Sequence, residues 1–290
     1  MNPEYIQVSD EHSNEVKTTI ERVNNEERTL TYSEAQVKKT KGIPFGAKLG
    51  LIDGRVYAIW VYHREEGPNT GAKPAFLTDT VRTAAYRSGL RFGTEVTHVN
   101  DLHVIKDFGG DLEACERYMK EETFVKLNTI SHMETHRMPR DKTRNLGLSF
   151  LGDGTIAKVE PGSLAEDTGL SVRRWIYCVD EKHHTLGRPP QEIHQVLKNV
   201  LNVKMNKHTA NLMNPATVEK YLSGFSVVCV PKSLGKELER IGNEICERKR
   251  SNLVYDINYA LDHNMQVYNP DPAAGSRMRK YQPQAKLSKT

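Results

Sequence analysis

Two stretches of this chain, about a hundred positions apart, are spelled alike. Phe45-Gly46-Ala47-Lys48-Leu49 is echoed by Leu146-Gly147-Leu148-Ser149-Phe150, and Asp53-Gly54-Arg55-Val56 by Asp153-Gly154-Thr155-Ile156. Ala85-Tyr86-Arg87-Ser88-Gly89-Leu90 returns as Ala165-Glu166-Asp167-Thr168-Gly169-Leu170, and Val99-Asn100-Asp101 as Val179-Asp180-Glu181. An internal repeat means one structural unit used twice. The period exceeds the roughly 20–45 residues of a solenoid repeat, so each copy is expected to be a complete domain. At 290 residues the chain has room for two such domains, each with its own core.

The copies are colinear but interrupted in different places. Gly46 and Gly147 stand 101 apart while Gly89 and Gly169 stand 80 apart, so the first copy carries about twenty extra residues between those points. They fall within 61–80, where Arg64-Glu65-Glu66-Gly67-Pro68-Asn69-Thr70-Gly71 is rich in charges and turn formers and reads as a surface loop. Phe124-Val125-Lys126-Leu127 and Phe225-Ser226-Val227-Val228 are again 101 apart, which places an insertion of the second copy at 201–224. Insertions at different points leave both cores intact, as loops on a shared scaffold should.

Each copy reads as strand, strand, short helix, strand, longer helix, strand. Residues 55–60, 95–99, 175–179 and 225–230 are short runs rich in apolar or β-branched side chains, as half-buried or buried strands require. Residues 83–88 and 163–168 read as short helices stopped by Gly89 and Gly169. Leu112, Cys115, Tyr118 and Met119 make one apolar face on a helix over 112–121. Ile193, Val196 and Leu197 do the same over 190–200, a helix opened by Pro189-Pro190. Before the first copy, 16–23 and 28–32 can pair as a hairpin about Asn24-Asn25.

Beyond Val230-Pro231 the pattern changes. Leu234, Leu238, Ile241 and Ile245 recur at heptad spacing along 233–250. The amphipathic helix they predict either packs back on the second domain or pairs with another chain. Helical sequence continues over 252–261, and from His263 onward Pro270, Pro272, Gly275 and Pro283 with several basic residues indicate a disordered tail.

Composition narrows the function classes. The hydrophobic fraction is 37% and the charged fraction 27%, polar enough to expect flexible sequence beside the folded units. A net charge of +4 is small for the length and does not call for nucleic acid or membrane as partner. No run approaches the roughly 20 apolar residues of a membrane span. The opening residues lack a signal-peptide core, and Cys115, Cys178, Cys229 and Cys246 show no paired spacing. An intracellular protein, cytoplasmic by default with a nuclear location open, is the expectation.

On these residues each copy resembles a PDZ domain. Leu146-Gly147-Leu148-Ser149-Phe150 resembles that family's glycine-centred carboxylate-binding loop. Pro161-Gly162-Ser163-Leu164-Ala165-Glu166-Asp167-Thr168-Gly169-Leu170 is similar to its strand-to-helix segment. Trp175-Ile176-Tyr177-Cys178-Val179-Asp180 is similar to the strand and turn that follow, and 191–199 falls at the groove-lining helix. The resemblance covers 140–232 in the second copy; over 29–131 it rests on alignment with the second. It implies a mainly β fold with α: two PDZ-like, partly open β-barrel or sandwich domains with two helices each. Outside them lie an N-terminal segment (1–28), a linker (132–139), an amphipathic helical region (233–261) and a basic tail (262–290). The divergent tandem layout also resembles that of nematode sperm-meiosis PDZ proteins.

The resemblance implies that a partner's C-terminal or internal peptide adds as a strand beside the loop, its carboxylate resting on successive backbone N–H groups. Leu146, Gly147, Leu148, Ser149 and Phe150 would form that site, facing Pro190, His194 and Leu197 of the helix, with Arg144 or Lys142 adding charge. Pro190 stands where the family's helix selects the ligand's third-last residue, and its side chain makes no hydrogen bond, so a preference for Ser or Thr there does not carry over. In the first copy Phe45, Gly46, Ala47, Lys48 and Leu49 would face Leu112, Glu116 and Met119. Ala47 and Lys48 depart from the pattern, which leaves that copy either a binder or a structural unit.

No nucleophile elbow, Walker loop or dinucleotide fingerprint is present, and no catalytic activity, cofactor or metal is expected. His132-Met133-Glu134-Thr135-His136 lacks the zinc-protease order and reads as a surface linker or strand. His183-His184 reads as a solvated turn. A non-catalytic adaptor or scaffold results, with two alternatives open. One is an assembly protein self-associating through Leu234, Leu238, Ile241 and Ile245. The other is a chromatin-associated protein using the tail basics Arg277, Arg279, Lys280, Lys286 and Lys289.

Overall fold

The run Arg55-Val56-Tyr57-Ala58-Ile59-Trp60-Val61 is apolar on both of its faces, and its counterpart Trp175-Ile176-Tyr177-Cys178-Val179 is too. A strand of that kind must be covered on both sides, and the architecture follows from covering both. The computed structural model of the chain describes residues 17–23, 26–62, 64–65, 82–203, 214, 218–219, 222–248, 257–262 and 267–268. The chain is mainly β and built of two units that repeat one order of elements, each with two helices.

The first unit holds β1 (Lys17–Val23), β2 (Glu26–Lys38), β3 (Ala47–Ile52), β4 (Arg55–Val61), α1 (Ala84–Arg87), β6 (Glu95–Val99), β7 (Leu102–His103), α2 (Leu112–Glu121) and β8 (Phe124–Ser131). A two-residue strand, β5 (Arg64–Glu65), leaves its insertion. Sheet order is β1-β2-β8-β6-β4-β3, with β7 on β6. The hairpin expected before the first copy forms, with Val23 opposite Glu26. It is not a separate segment, because β2 runs on to pair with β8 from Thr31 to Lys38.

The second unit holds β9 (Glu134–Pro139), β10 (Leu148–Phe150), β11 (Ile156–Val159), α3 (Leu164–Asp167), β12 (Arg174–Val179), β13 (His183–His184), α4 (Pro190–Asn202) and β14 (Gly224–Pro231). Its strands form two sheets, β10-β11 and β13-β12-β14-β9. Neither unit is a closed barrel, which agrees with the partly open barrel or sandwich expected: β3 and β10 are left as edges. The linker expected at 132–139 is corrected. Residues Glu134 to Pro139 are strand β9, paired with β14 along its length.

Each unit has its own core. The first gathers Val37, Leu49, Val56, Ala58, Val96, Cys115, Met119 and Leu127, and the second Met138, Ile156, Leu164, Ile176, Ile193, Leu197 and Phe225. A third core lies between them. Tyr57, Trp60, Tyr62 and Phe92 of the first unit meet Trp175, Tyr177, Leu186 and Val230 of the second. Helix α5 (Lys232–Arg248) supplies Leu234, Leu238 and Cys246, and α6 (Ile257–Asp262) supplies Ile257, Ala260 and Leu261. Strands β4 and β12 are therefore sandwiched, with side chains entering a unit core on one face and the shared core on the other.

This placement corrects the reading of Leu234, Leu238, Ile241 and Ile245 as a self-association seam. Leu234 and Leu238 are fully buried in the shared core, and Ile241 and Ile245 pack half-buried against it. Burying such a side chain stabilises by roughly 1.5–3 kcal/mol, so the apolar stripe is already satisfied within the chain. The tail is corrected at two points. Asp262 belongs to α6, and β15 (Val267–Tyr268) pairs in parallel with β5. Arg277, Arg279, Lys280, Lys286 and Lys289, most of the insertion at 61–80 and most of that at 201–224 lie outside the described residues. Val61 and Tyr62, expected to begin the first insertion, are buried instead.

Candidate functional site

Both loops named by the repeat are held by the short helix that follows them. Thr83 and Ser163 are the N-caps of α1 and α3, accepting from the Tyr86 and Glu166 amides. The Ala85 amide donates to the Phe45 carbonyl at 2.8 Å, and the Ala165 amide to the Leu146 carbonyl at 3.2 Å. Gly46 (φ 94°) and Gly147 (φ 70°) then turn the chain into β3 and β10. A Cβ on Gly147 would lie 2.0 Å from Cβ of Ser163, and one on Gly46 would lie 2.5 Å from Cβ of Thr83. Glycine is required at both points by conformation and by the closeness of the cap.

Register fixes which backbone groups face each groove. The Glu160 amide donates to the Gly147 carbonyl and the Tyr62 amide to the Gly46 carbonyl. With Ser149 opposite Lys158 and Lys48 opposite Trp60, the alternation of an antiparallel ladder turns residues 148 and 150, and likewise 47 and 49, away from the paired strand. The amides and carbonyls of Leu148 and Phe150 therefore face α4, and those of Ala47 and Leu49 face α2.

In the second groove His194 reaches across from α4, its Nε2 3.1 Å from the Leu148 carbonyl oxygen. That oxygen can only accept, so the imidazole donates. Its ring meets Phe150 edge-on at 5.0 Å between centroids. Ser149 is exposed, Phe150 and Pro190 half-buried. Leu146, Leu148 and Leu197 are corrected as open pocket walls: all three are buried in the core of the unit, Leu197 completely. Val196 is half-buried against the same core. Arg144 is corrected too. It pairs with Asp167 of α3 and donates to the Gly162 carbonyl at 2.7 Å, so its charge is spent on the loop frame. Lys142 stays exposed.

In the first groove Glu116 of α2 accepts the Leu49 amide hydrogen at 3.0 Å, and its other oxygen pairs with Lys48 at 2.9 Å. Phe45, Ala47, Leu49 and Met119 are buried in the unit core, and Leu112 packs half-buried against it. Helix α2 lies against β3, whereas α4 packs on β12.

Sequence reasoning missed Asn145, whose Oδ1 accepts the Gly147 amide at 3.2 Å while its Nδ2 donates to Glu160 at 2.8 Å. An Asn two residues before a turning glycine is the signal that pointed there. The histidines read as a surface linker or strand and as a solvated turn are mostly internal. His132 is fully buried with Nε2 2.6 Å from Glu95, and His136 bonds the Thr168 carbonyl. Burial alone would raise the Glu95 carboxyl, but the hydrogen bond and charge of His132, together with Arg55, hold it below the usual range. His184 pairs with Asp262 at 2.8 Å, docking α6 on β13. Among the described residues no cluster of His, Cys, Asp and Glu is placed to hold a metal, and no helix is long and apolar enough to cross a membrane.

No protein-family model matches the chain, and no curated protein matches it. Among solved structures it is similar to INAD PDZ45 in complex with NG2 peptide, at 15% identity over 70% of this chain and 89% of that one, with a TM-score of 0.23. It is likewise similar to the complex of INAD PDZ45 and NORPA CC-PBM, at 14% identity over 68% and 89%, with a TM-score of 0.20. Neither reaches a score at which folds superimpose, so the fold stands on its own topology. Neither lends anything to the likeness with nematode sperm-meiosis proteins.

Proposed function

We propose that the chain is a non-catalytic adaptor that binds extended peptides of partner proteins, C-terminal ones first, by strand addition along β10. The observation that carries this reading is the state of that edge. On one side β10 pairs with β11; on the other the Phe150 amide and Leu148 carbonyl face α4, with one histidine side chain bridging to the carbonyl. A peptide strand would replace that bridge with main-chain hydrogen bonds and set its carboxylate on the amides turned outward after Gly147. Phe150 would meet its side chains. The shared core and α5 would hold the two grooves in one fixed relation, as a scaffold requires. All four cysteines are buried, which suits work inside the cell, in the cytoplasm.

The test is a C-terminal peptide library offered to the full chain, with hits measured by fluorescence polarisation as free acids and as amides. Hits that bind as acids and lose binding on amidation are expected. A library without hits, or hits indifferent to amidation, would overturn the proposal.

A further inference from the structure

We infer that Glu116 closes the first groove to free C-termini by holding, from within the chain, an edge amide that an incoming strand would need and by setting an anion beside the loop where a terminal carboxylate would rest. The inference rests on reading the grooves as strand-addition sites and concerns the ligand class of the first. Leu49 and Phe150 occupy the same place in the repeat, and by register each turns its amide toward the groove helix. Glu116 and His194 also occupy the same place, each four residues into its helix from Leu112 and Pro190. One position thus reaches across both grooves and does opposite things. Glu116 takes the donor of the edge, the Leu49 amide at 3.0 Å. His194 takes the acceptor, the Leu148 carbonyl at 3.1 Å.

The chemistry of the two occupants decides what each groove admits. The Leu49 amide is one that an added strand would need, and it lies just past the loop where a terminal carboxylate would rest. In the first groove an anion holds it already, and Lys48 braces the other oxygen at 2.9 Å. A second carboxylate would have to displace an anion held at two points or lie beside it against like-charge repulsion. In the second groove the acid on α4, Glu192, is turned to Arg188 at 3.5 Å, and the bridging group is a donor. A carboxylate there meets no anion from the helix. The repeat therefore carries two grooves of the same frame and opposite preference.

The experiment uses the full chain labelled with nitrogen-15 and a random-sequence peptide mixture with free C-termini, with its amidated twin as control. The Leu49 and Phe150 amide signals report the two grooves separately. In the unaltered chain the free-acid mixture is expected to leave Leu49 unmoved. In Glu116→Ala and Glu116→Gln it should shift Leu49, at least tenfold more tightly than the amidated twin. Glu116→Gln keeps the size of the side chain and decides the matter if the alanine variant fails to fold. Leu49 responding alike in the unaltered chain and the variants, or staying still in all of them, would overturn the inference. Phe150 in the same spectra keeps the two proposals apart. If Phe150 never responds while Leu49 responds in the variants, the adaptor reading of the second groove fails and this one stands.

Discussion

Leu238 of α5 lies so close to Gly93 of the first unit that a Cβ on that glycine would stand 2.9 Å from its Cδ1. The same leucine packs with Trp175 and Tyr177 of the second unit in the shared core. Helix α5 is thus an internal wedge that touches both copies, and the Tyr177 hydroxyl donates to the Phe92 carbonyl beside it at 3.4 Å.

Truncating the wedge should loosen both units together. Leu238→Ala removes a fully buried side chain and is expected to cost about 2–5 kcal/mol. Urea unfolding followed by tryptophan fluorescence reports it directly, since Trp60 and Trp175 both line the shared core. Sedimentation of the unaltered chain and the variant should give the same mass for each. An oligomer that falls apart on the substitution would restore the self-association reading.

Acid should weaken the seam between the copies. Glu134 of β9 accepts from Thr29 of β2 at 3.3 Å and from Arg174 at 2.9 Å. Burial alone would raise its carboxyl, but hydrogen bonds from His136 and Arg174 and the charge of Arg174 bring it from an ordinary 4.5 down to about 2. A carboxyl lowered in the folded state stabilises fully above its unfolded value and loses that contribution as pH falls through the folded one. Roughly 3 kcal/mol should therefore vanish between pH 4.5 and 2. The stability gap between the unaltered chain and Glu134→Gln should narrow by that amount over the interval. A gap that does not change with pH contradicts the assignment.

The opposed roles of Glu116 and His194 can be transplanted. His194→Glu places an anion where the second groove has a donor. It should weaken any free-acid ligand of that groove at least tenfold, about 1.4 kcal/mol. His194→Ala releases the Leu148 carbonyl and should tighten binding instead. Calorimetric titration of both variants with one peptide separates these outcomes, and equal affinities would remove His194 from the groove's chemistry.

The thiols should be silent in the native state. Burial pushes Cys115 and Cys178 up to about 12 and raises Cys229 as well. Cys246 is buried in the shared core. Ellman's reagent at pH 8 should label no cysteine before unfolding and all four after it. Fast labelling of the native chain at any of the four would contradict the packing described.

Much of the frame was legible. The repeat, the capped short helices, the hairpin and helix Leu112–Glu121 are written in glycine placement, cap residues and apolar period. These signals are local, and local geometry satisfies them. The apolar runs at 55–60 and 175–179 also announced half-buried or buried strands, without saying what covers them. Leu146, Leu148 and Leu197 misled for a related reason: an apolar residue near a groove looks the same in sequence whether it lines the groove or the core beneath it. His132 and Glu134 misled because their partners, Glu95 and Arg174, are about forty positions away.

The sequence by itself determined two units of one design, their element order and the two loops that glycine must turn. Only the tertiary structure decided that the units share a third core with α5 between them, and that Glu116 and His194 cross their grooves to opposite ends of the peptide edge. The reason is physical. A turn or an amphipathic period depends on neighbours a few residues away. The partner of an apolar face, or of a single carboxylate oxygen, is chosen only when segments distant in sequence pack together.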